Sequence, residues 1–120
     1  MPKILVIEDD VDISRLIGMQ LKAGGYEAAY ASDAVTAMTV ARKERPDLIL
    51  LDLGLPGGGG ILVLERLRAI AELAATPVIV VTARTDAAGE QAARAAGAVD
   101  FLRKPVEADD LAAAIERALG

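Results

Sequence analysis

Apolar positions along the chain fall into two alternating patterns. Unbroken aliphatic runs occur at Lys3 to Ile7, Leu48 to Leu51 and Val78 to Val81, as expected of strands buried on both faces of a parallel sheet. Between them apolar residues recur at helical spacing. The first such stretch, Asp12 to Lys22, places Ile13, Leu16, Ile17 and Leu21 inward and stops at Gly24-Gly25. Glu27 to Ala31 reads as a weak strand towards a sheet edge. Ser32 is the expected N-cap of a second helix, with Val35, Met38 and Ala41 inward, Arg42-Lys43 in its last turn and Pro46 beyond. After the central run a glycine loop precedes a helix over Ile61 to Ile70, with Ile61, Leu64 and Leu67 facing the sheet. The Val78 strand leaves at Thr82, a helix runs from about Asp86 to Ala96 and ends at Gly97, Phe101-Leu102-Arg103 forms a short strand, and Ala108 to Leu119 forms the last helix, with Leu111, Ile115 and Leu119 inward.

Five consecutive strand-helix units predict an α/β fold with one doubly wound, five-stranded parallel sheet and helices on both faces. The flavodoxin-like strand order 2-1-3-4-5 has its switch point between strands 1 and 3, where ligands bind outside the carboxyl ends. Strand 1 ends in Glu8-Asp9-Asp10 and strand 3 in Asp52. Neighbouring strands are about 4.8 Å apart, so these acids converge on one small pocket. No linker, repeat or low-complexity stretch interrupts residues 1–120, which are expected to form one domain.

Composition narrows the chemistry. Hydrophobic residues make up 53% of the chain, yet no apolar run approaches the roughly 20 residues that span a bilayer, and the Met1-Pro2-Lys3 start lacks a signal peptide's apolar region. A soluble, cytoplasmic protein with no membrane association is the expectation. With no cysteine and no histidine, disulfides, thiolate or imidazole metal sites and serine-histidine nucleophiles are excluded. The formal charge of −5 argues against direct nucleic-acid binding, and three aromatics (Tyr26, Tyr30, Phe101) give no stacking platform.

Carboxylates crowded at one point repel unless a cation neutralises them. An all-oxygen site with few protein ligands suits Mg²⁺ or Mn²⁺. The next strand ends add the Thr82 hydroxyl and the Lys104 ammonium. Together they make a phosphoryl site, in which an ionised carboxylate attacks directly and needs no general base. Asp10 is left open between a loop charge and a partner of the other acids.

The chain resembles receiver domains of two-component response regulators over its whole length. The resemblance rests on Glu8 and Asp9 after strand 1, D-L-x-L-P-G from Asp52 to Gly57, Thr82-Ala83 after strand 4, and G-A-x-D-F-x-x-K-P from Gly97 to Pro105. It implies that Asp52 accepts a phosphoryl group from a phosphohistidine of a sensor histidine kinase or phosphotransfer protein. It further implies that Glu8, Asp9, Asp52 and the Gly54 backbone carbonyl hold Mg²⁺, directly or through water. Lys104 would pair with the phosphoryl group, Thr82 would bond it on activation, and Phe101 would swing inward behind Thr82. The Lys104-Pro105 bond is often cis in such domains. A new dianion that recruits Thr82 and Lys104 would reshape the helix 4–strand 5–helix 5 face presented to an output domain or target protein. Such a protein is a phosphoacceptor that assists its own phosphorylation and dephosphorylation, and not a conventional enzyme.

Three departures stand out. Gly59 occupies a place that often carries Asp or Ser, and a tight turn explains it better than a phosphate cradle, because no P-loop lysine follows. Gly54 and Arg84 occupy positions that tune phosphoryl lifetime; with no side chain at Gly54 to position water, slow self-dephosphorylation is expected. Alanines at 92, 93, 95, 96 and 112–114 suggest close helix packing, and a docking surface less so. Ala96 and Ala114 stand where dimerising regulators carry charges, which predicts a monomer or weak dimer. Three rivals fit less well. A haloacid-dehalogenase-type phosphatase needs an acid at position 54, a flavin protein needs a hydroxyl-rich loop after strand 1, and a phosphate-independent degenerate receiver would not keep Asp52, Thr82 and Lys104.

Overall fold

A computed structural model of the chain describes residues 1–55, 59–83 and 87–120. Pro56, Gly57 and Gly58 of the glycine loop, Arg84, and the expected helix start at Asp86 lie outside the described residues. The elements run β1 (Lys3–Ile7), α1 (Val11–Ala23), β2 (Glu27–Ala31), α2 (Ala34–Glu44), β3 (Leu48–Leu51), α3 (Gly59–Ala69), β4 (Val78–Thr82), α4 (Ala87–Ala95), β5 (Asp100–Arg103) and α5 (Ala108–Leu119). All strand pairs are parallel, in the order β2-β1-β3-β4-β5. This is the architecture the alternating pattern requires.

Successive residues of each interior strand serve opposite layers, as strand pleating dictates. Leu5, Ile7, Ile49, Leu51, Val78 and Val80 pack with α2, α3 and α4. Ile4, Val6, Leu48, Leu50, Ile79 and Val81 pack with Ile17 and Leu21 of α1 and with Leu111, Ala114 and Ile115 of α5. Both faces of β3 are therefore sealed, and its four residues are buried. Ile61 of α3 and Leu119 of α5 are partly buried against their layers.

Two helices sit differently from their predicted faces. In α2 the N-cap is Asp33 and not Ser32, its Oδ1 accepting the Thr36 N–H at 2.7 Å. That bond, chiefly, holds the Asp33 carboxyl below its ordinary range. With this cap, Ala34, Ala37 and Ala41 point inward, while Val35 is 70% exposed and Met38 is only partly buried. Small alanines let α2 lie close to the sheet, and the larger side chains are left on the flanks. In α1, Ile17, Gly18 and Leu21 are buried and Ile13 partly so, but Leu16 is 53% exposed. A stripe that already contains Ile17 and Leu21 is filled, so Leu16 lies outside it.

Two glycines fix the approach to α3. Gly59 has φ +78°, the left-handed conformation that favours glycine, as its tight-turn reading required. At Gly60 a Cβ would lie 2.5 Å from the Asp52 carbonyl oxygen and 2.6 Å from Leu53 Cα, so only glycine lets α3 begin against the backbone that follows β3. Its N–H donates to the Leu53 carbonyl at 2.9 Å.

Candidate functional site

Three site residues are held by backbone bonds that extend the sheet beyond its strands. Glu8 N–H donates to Ala31 O at 3.0 Å, Asp52 N–H to Ile7 O at 3.0 Å, and Lys104 N–H to Thr82 O at 2.9 Å. The ladder thus aims the groups after β1, β3 and β5 at one point above the carboxyl edge. Thr82, the last residue of β4, supplies the fourth. Glu8, Asp52 and Thr82 are buried, whereas Asp9 is exposed.

Lys104 Nζ is the centre of the cluster. It is hydrogen-bonded to Glu8 Oε1 and lies 3.3 Å from Asp52 Oδ2. Glu8 Oε2 accepts the Asp10 N–H at 3.1 Å, and Asp52 Oδ1 accepts the Gly54 N–H at 3.2 Å. Burial is the largest influence on all three charges, but it does not win everywhere. It raises the Glu8 pKa, with the Asp52 charge adding to it, and the bonds from Lys104 and the Asp10 amide offset only part. At Asp52 burial is outweighed by the Gly54 amide, the Lys104 charge and a Thr82 hydrogen bond, which together hold the carboxyl low. At Lys104 the Glu8 bond and the two carboxylate charges overcome burial and raise the ammonium. Asp52 is accordingly the more firmly ionised of the two buried acids.

The donor set fits a hard divalent cation. Glu8, Asp9 and Asp52 each offer a carboxylate oxygen, all within 4.8 Å of one another. Each bonded oxygen keeps a further lone pair, and the exposed Asp9 leaves room for water, as Mg²⁺ requires. Gly54 is exposed, and a Cβ there would sit 3.7 Å from Asp52 Oδ2 and 3.8 Å from Oδ1. Whatever side chain stood at that position would overlook the carboxylate.

Of the site residues singled out from the sequence, Glu8, Asp9, Asp52, Gly54, Thr82 and Lys104 lie together at this edge. Phe101 is partly buried against the α2-α3-α4 layer, paired with Val80 two residues before Thr82, and the Lys104–Pro105 peptide is cis. Asp10, left open from the sequence, is the N-cap of α1. Its Oδ1 accepts from Asp12 N at 2.9 Å and Ile13 N at 3.0 Å, while its own N–H orients Glu8. The capping role had a sequence signal in its place just before the helical spacing begins; the amide contact to Glu8 had none. Gly60 was visible only as one glycine of a run.

A doubly wound sheet with acids, a hydroxyl and a lysine at its switch point defines a class of signalling domain. The sequence profile of the response regulator receiver domain matches residues 4–116, and the chain belongs to that family. It is 36% identical over 117 residues to the DNA-binding response regulator MtrA of Mycobacterium tuberculosis, covering 98% of this chain and 50% of MtrA. To the transcriptional regulatory protein KdpE of the same species it is 39% identical over 119 residues, covering 99% and 51%. This chain therefore spans about half the length of these relatives. The solved structure of the chemotaxis response regulator CheY4 of Vibrio cholerae superimposes with a TM-score of 0.93 at 29% identity, covering 99% of each chain. The chain is a two-component receiver domain with the CheY-like fold. No helix among the described residues is long and apolar enough to cross a membrane.

Proposed function

We propose that residues 1–120 act as one phosphorylatable switch in which Asp52 is the phosphoacceptor. A carboxylate oxygen of Asp52 attacks the phosphorus of a phosphohistidine. The O–P bond forms as the N–P bond breaks, and the imidazole leaves with the electron pair and takes a proton from solvent. Because Asp52 is ionised, no base is needed. Asp9 and Asp52, with Glu8 directly or through water and the Gly54 carbonyl, hold Mg²⁺, which when bound neutralises charge on the phosphoryl oxygens. Lys104 turns from Glu8 to the phosphoryl group, and Thr82 donates its hydroxyl to it. Those two movements pull the loops after β4 and β5 and remodel the α4-β5-α5 face, with Phe101 moving inward. The kinase or phosphotransfer protein is the donor. The DNA-binding relatives, about twice as long, support an output module or target protein as the recipient of the change.

The observation that carries this reading is the convergence of Asp52, Lys104 and Glu8 in one bonded cluster, with Thr82 bonded to Asp52 and Asp9 within ligand distance. The test is intact mass after incubation with Mg²⁺ and acetyl phosphate, for wild type and Asp52→Asn. One phosphoryl addition in the wild type is expected, lost with EDTA and absent from the variant. No addition under conditions that label a known receiver would make the chain a phosphate-independent interaction domain. The same assay reads lifetime. Gly54 leaves the carboxylate without a side chain to hold water, so the wild-type label should outlast that of Gly54→Asn, and an equal or shorter wild-type half-life would remove Gly54 from the account.

A further inference from the structure

We propose that the cleft between α1 and the turn after β5 is a binding site for a small neutral molecule with an apolar body and one N–H or O–H donor. The cleft is a largely apolar cavity of about 290 Å³. One wall is α1, where Ile13, Leu16, Ile17 and Gln20 fall at i, i+3, i+4 and i+7, a single helical stripe. Val81 of β4 and Ala83 beyond its end form the base. The other wall is the turn from Lys104 through Pro105 to Val106 that leads from β5 into α5. One atom does not suit such surroundings. Gln20 Oε1 is buried and, among the described residues, has no hydrogen-bond donor. Buried polar side-chain atoms are nearly always paired, and one left unpaired keeps the whole cost of its desolvation. Leu16 is anomalous in the opposite sense, since it lines the cavity yet is 53% exposed. An apolar side chain left wet at the opening and a polar atom left dry inside are both relieved by one occupant.

Size, charge and the orphan oxygen define that occupant. A dry apolar cavity of about 150 Å³ holds benzene, so this one takes a body of one or two fused rings, at the small end of ligand pockets. Among the described residues that line it there is no Asp or Glu, and the ammonium of its one lysine, Lys104, is turned to Glu8 and Asp52. Only the methylene stem of Lys104 is left to wall the cleft. Nothing there compensates a buried charge, so the ligand is neutral. A glutamine oxygen accepts and cannot donate, so the ligand carries the donor, and that single bond fixes its orientation in an apolar pocket. The bound molecule touches the turn that carries Lys104 into the acidic cluster. Its binding needs neither a metal ion nor phosphate on Asp52.

The test titrates indole and benzothiophene, bicycles of matching shape of which only indole carries a donor, into the ¹⁵N-labelled chain without Mg²⁺ or phosphodonor. Indole should shift the amides of residues 13–20, 81–83, 104 and 106. It should bind roughly tenfold or more tightly than benzothiophene, which leaves the buried oxygen unpaired. Gln20→Met, which keeps the length of the side chain and removes the acceptor, should bring the two affinities together. Leu16→Ala, at an exposed position, should weaken both probes and preserve their ratio. Equal or reversed affinities in the wild type, no binding at millimolar concentration, shifts confined to other parts of the fold, or an indole preference that survives Gln20→Met would each overturn the proposal. The wild-type comparison decides even if a variant fails to fold. None of these outcomes bears on Asp52, whose phosphorylation is read separately by mass.

Discussion

Five acids follow the first three strands, and they divide by where the next helix begins. Glu8 and Asp52 come directly after β1 and β3, inside the sheet, and remain between neighbouring strand ends where Lys104 meets both. Asp10 and Asp33 come directly before α1 and α2, and their carboxylates are occupied by helix N–H groups. Asp9, between the two kinds, is exposed yet within ligand distance of Glu8 and Asp52. The side chain is the same or nearly so throughout. What separates chemistry from capping is one or two residues of register between a strand end and a helix start.

That division can be broken at each kind of position. The largest effect is expected at Lys104, where Lys104→Ala should still accept phosphate from acetyl phosphate but lose the phosphate-dependent change in partner binding. Normal partner binding by the phosphorylated variant would take Lys104 out of the switch. Next comes Asp9→Asn, for which a Mg²⁺ titration should show affinity reduced by roughly tenfold or more, on the scale at which metal sites respond to loss of a supporting group. An unchanged titration would move Asp9 into the group of structural acids. The smallest effect belongs to Asp10→Ala. Loss of the cap should cost about 1 kcal/mol in denaturant unfolding and leave phosphorylation intact, since the backbone N–H that orients Glu8 remains. A variant of normal stability that failed to phosphorylate would reverse the assignment.

The β-strands were legible because a strand buried on both faces leaves little choice of residue: Leu48–Leu51 and Val78–Thr82 could pack in few other ways. Crossover handedness then limited the strand order, and the order brought Glu8, Asp9, Asp52, Thr82 and Lys104 to one edge. Helix faces were harder to read. Moving the cap of α2 from Ser32 to Asp33 reassigns its inward face to Ala34, Ala37 and Ala41 and puts Val35 in solvent, and hydrophobicity alone favours the larger side chain. Leu16 misled for a related reason, since helical spacing admits more apolar residues than the narrow contact with the sheet can hold. The Glu8–Lys104 bond had no local trace at all. Proximity followed from topology, but which carboxylate the ammonium prefers depends on atomic positions.

The reach of Lys104 also bears on how the domain is made. Its two carboxylate partners lie 96 and 52 residues earlier in the chain, and β5 joins the sheet through β4. During synthesis from the N-terminus the acids of β1 and β3 emerge well before the ammonium that neutralises them. A chain interrupted between residues 52 and 104 would contain Glu8 and Asp52 without that counter-charge. Neutralisation of the two buried acids therefore arrives only with the final strand, and the ion-paired cluster serves as a check on the completeness of its own fold.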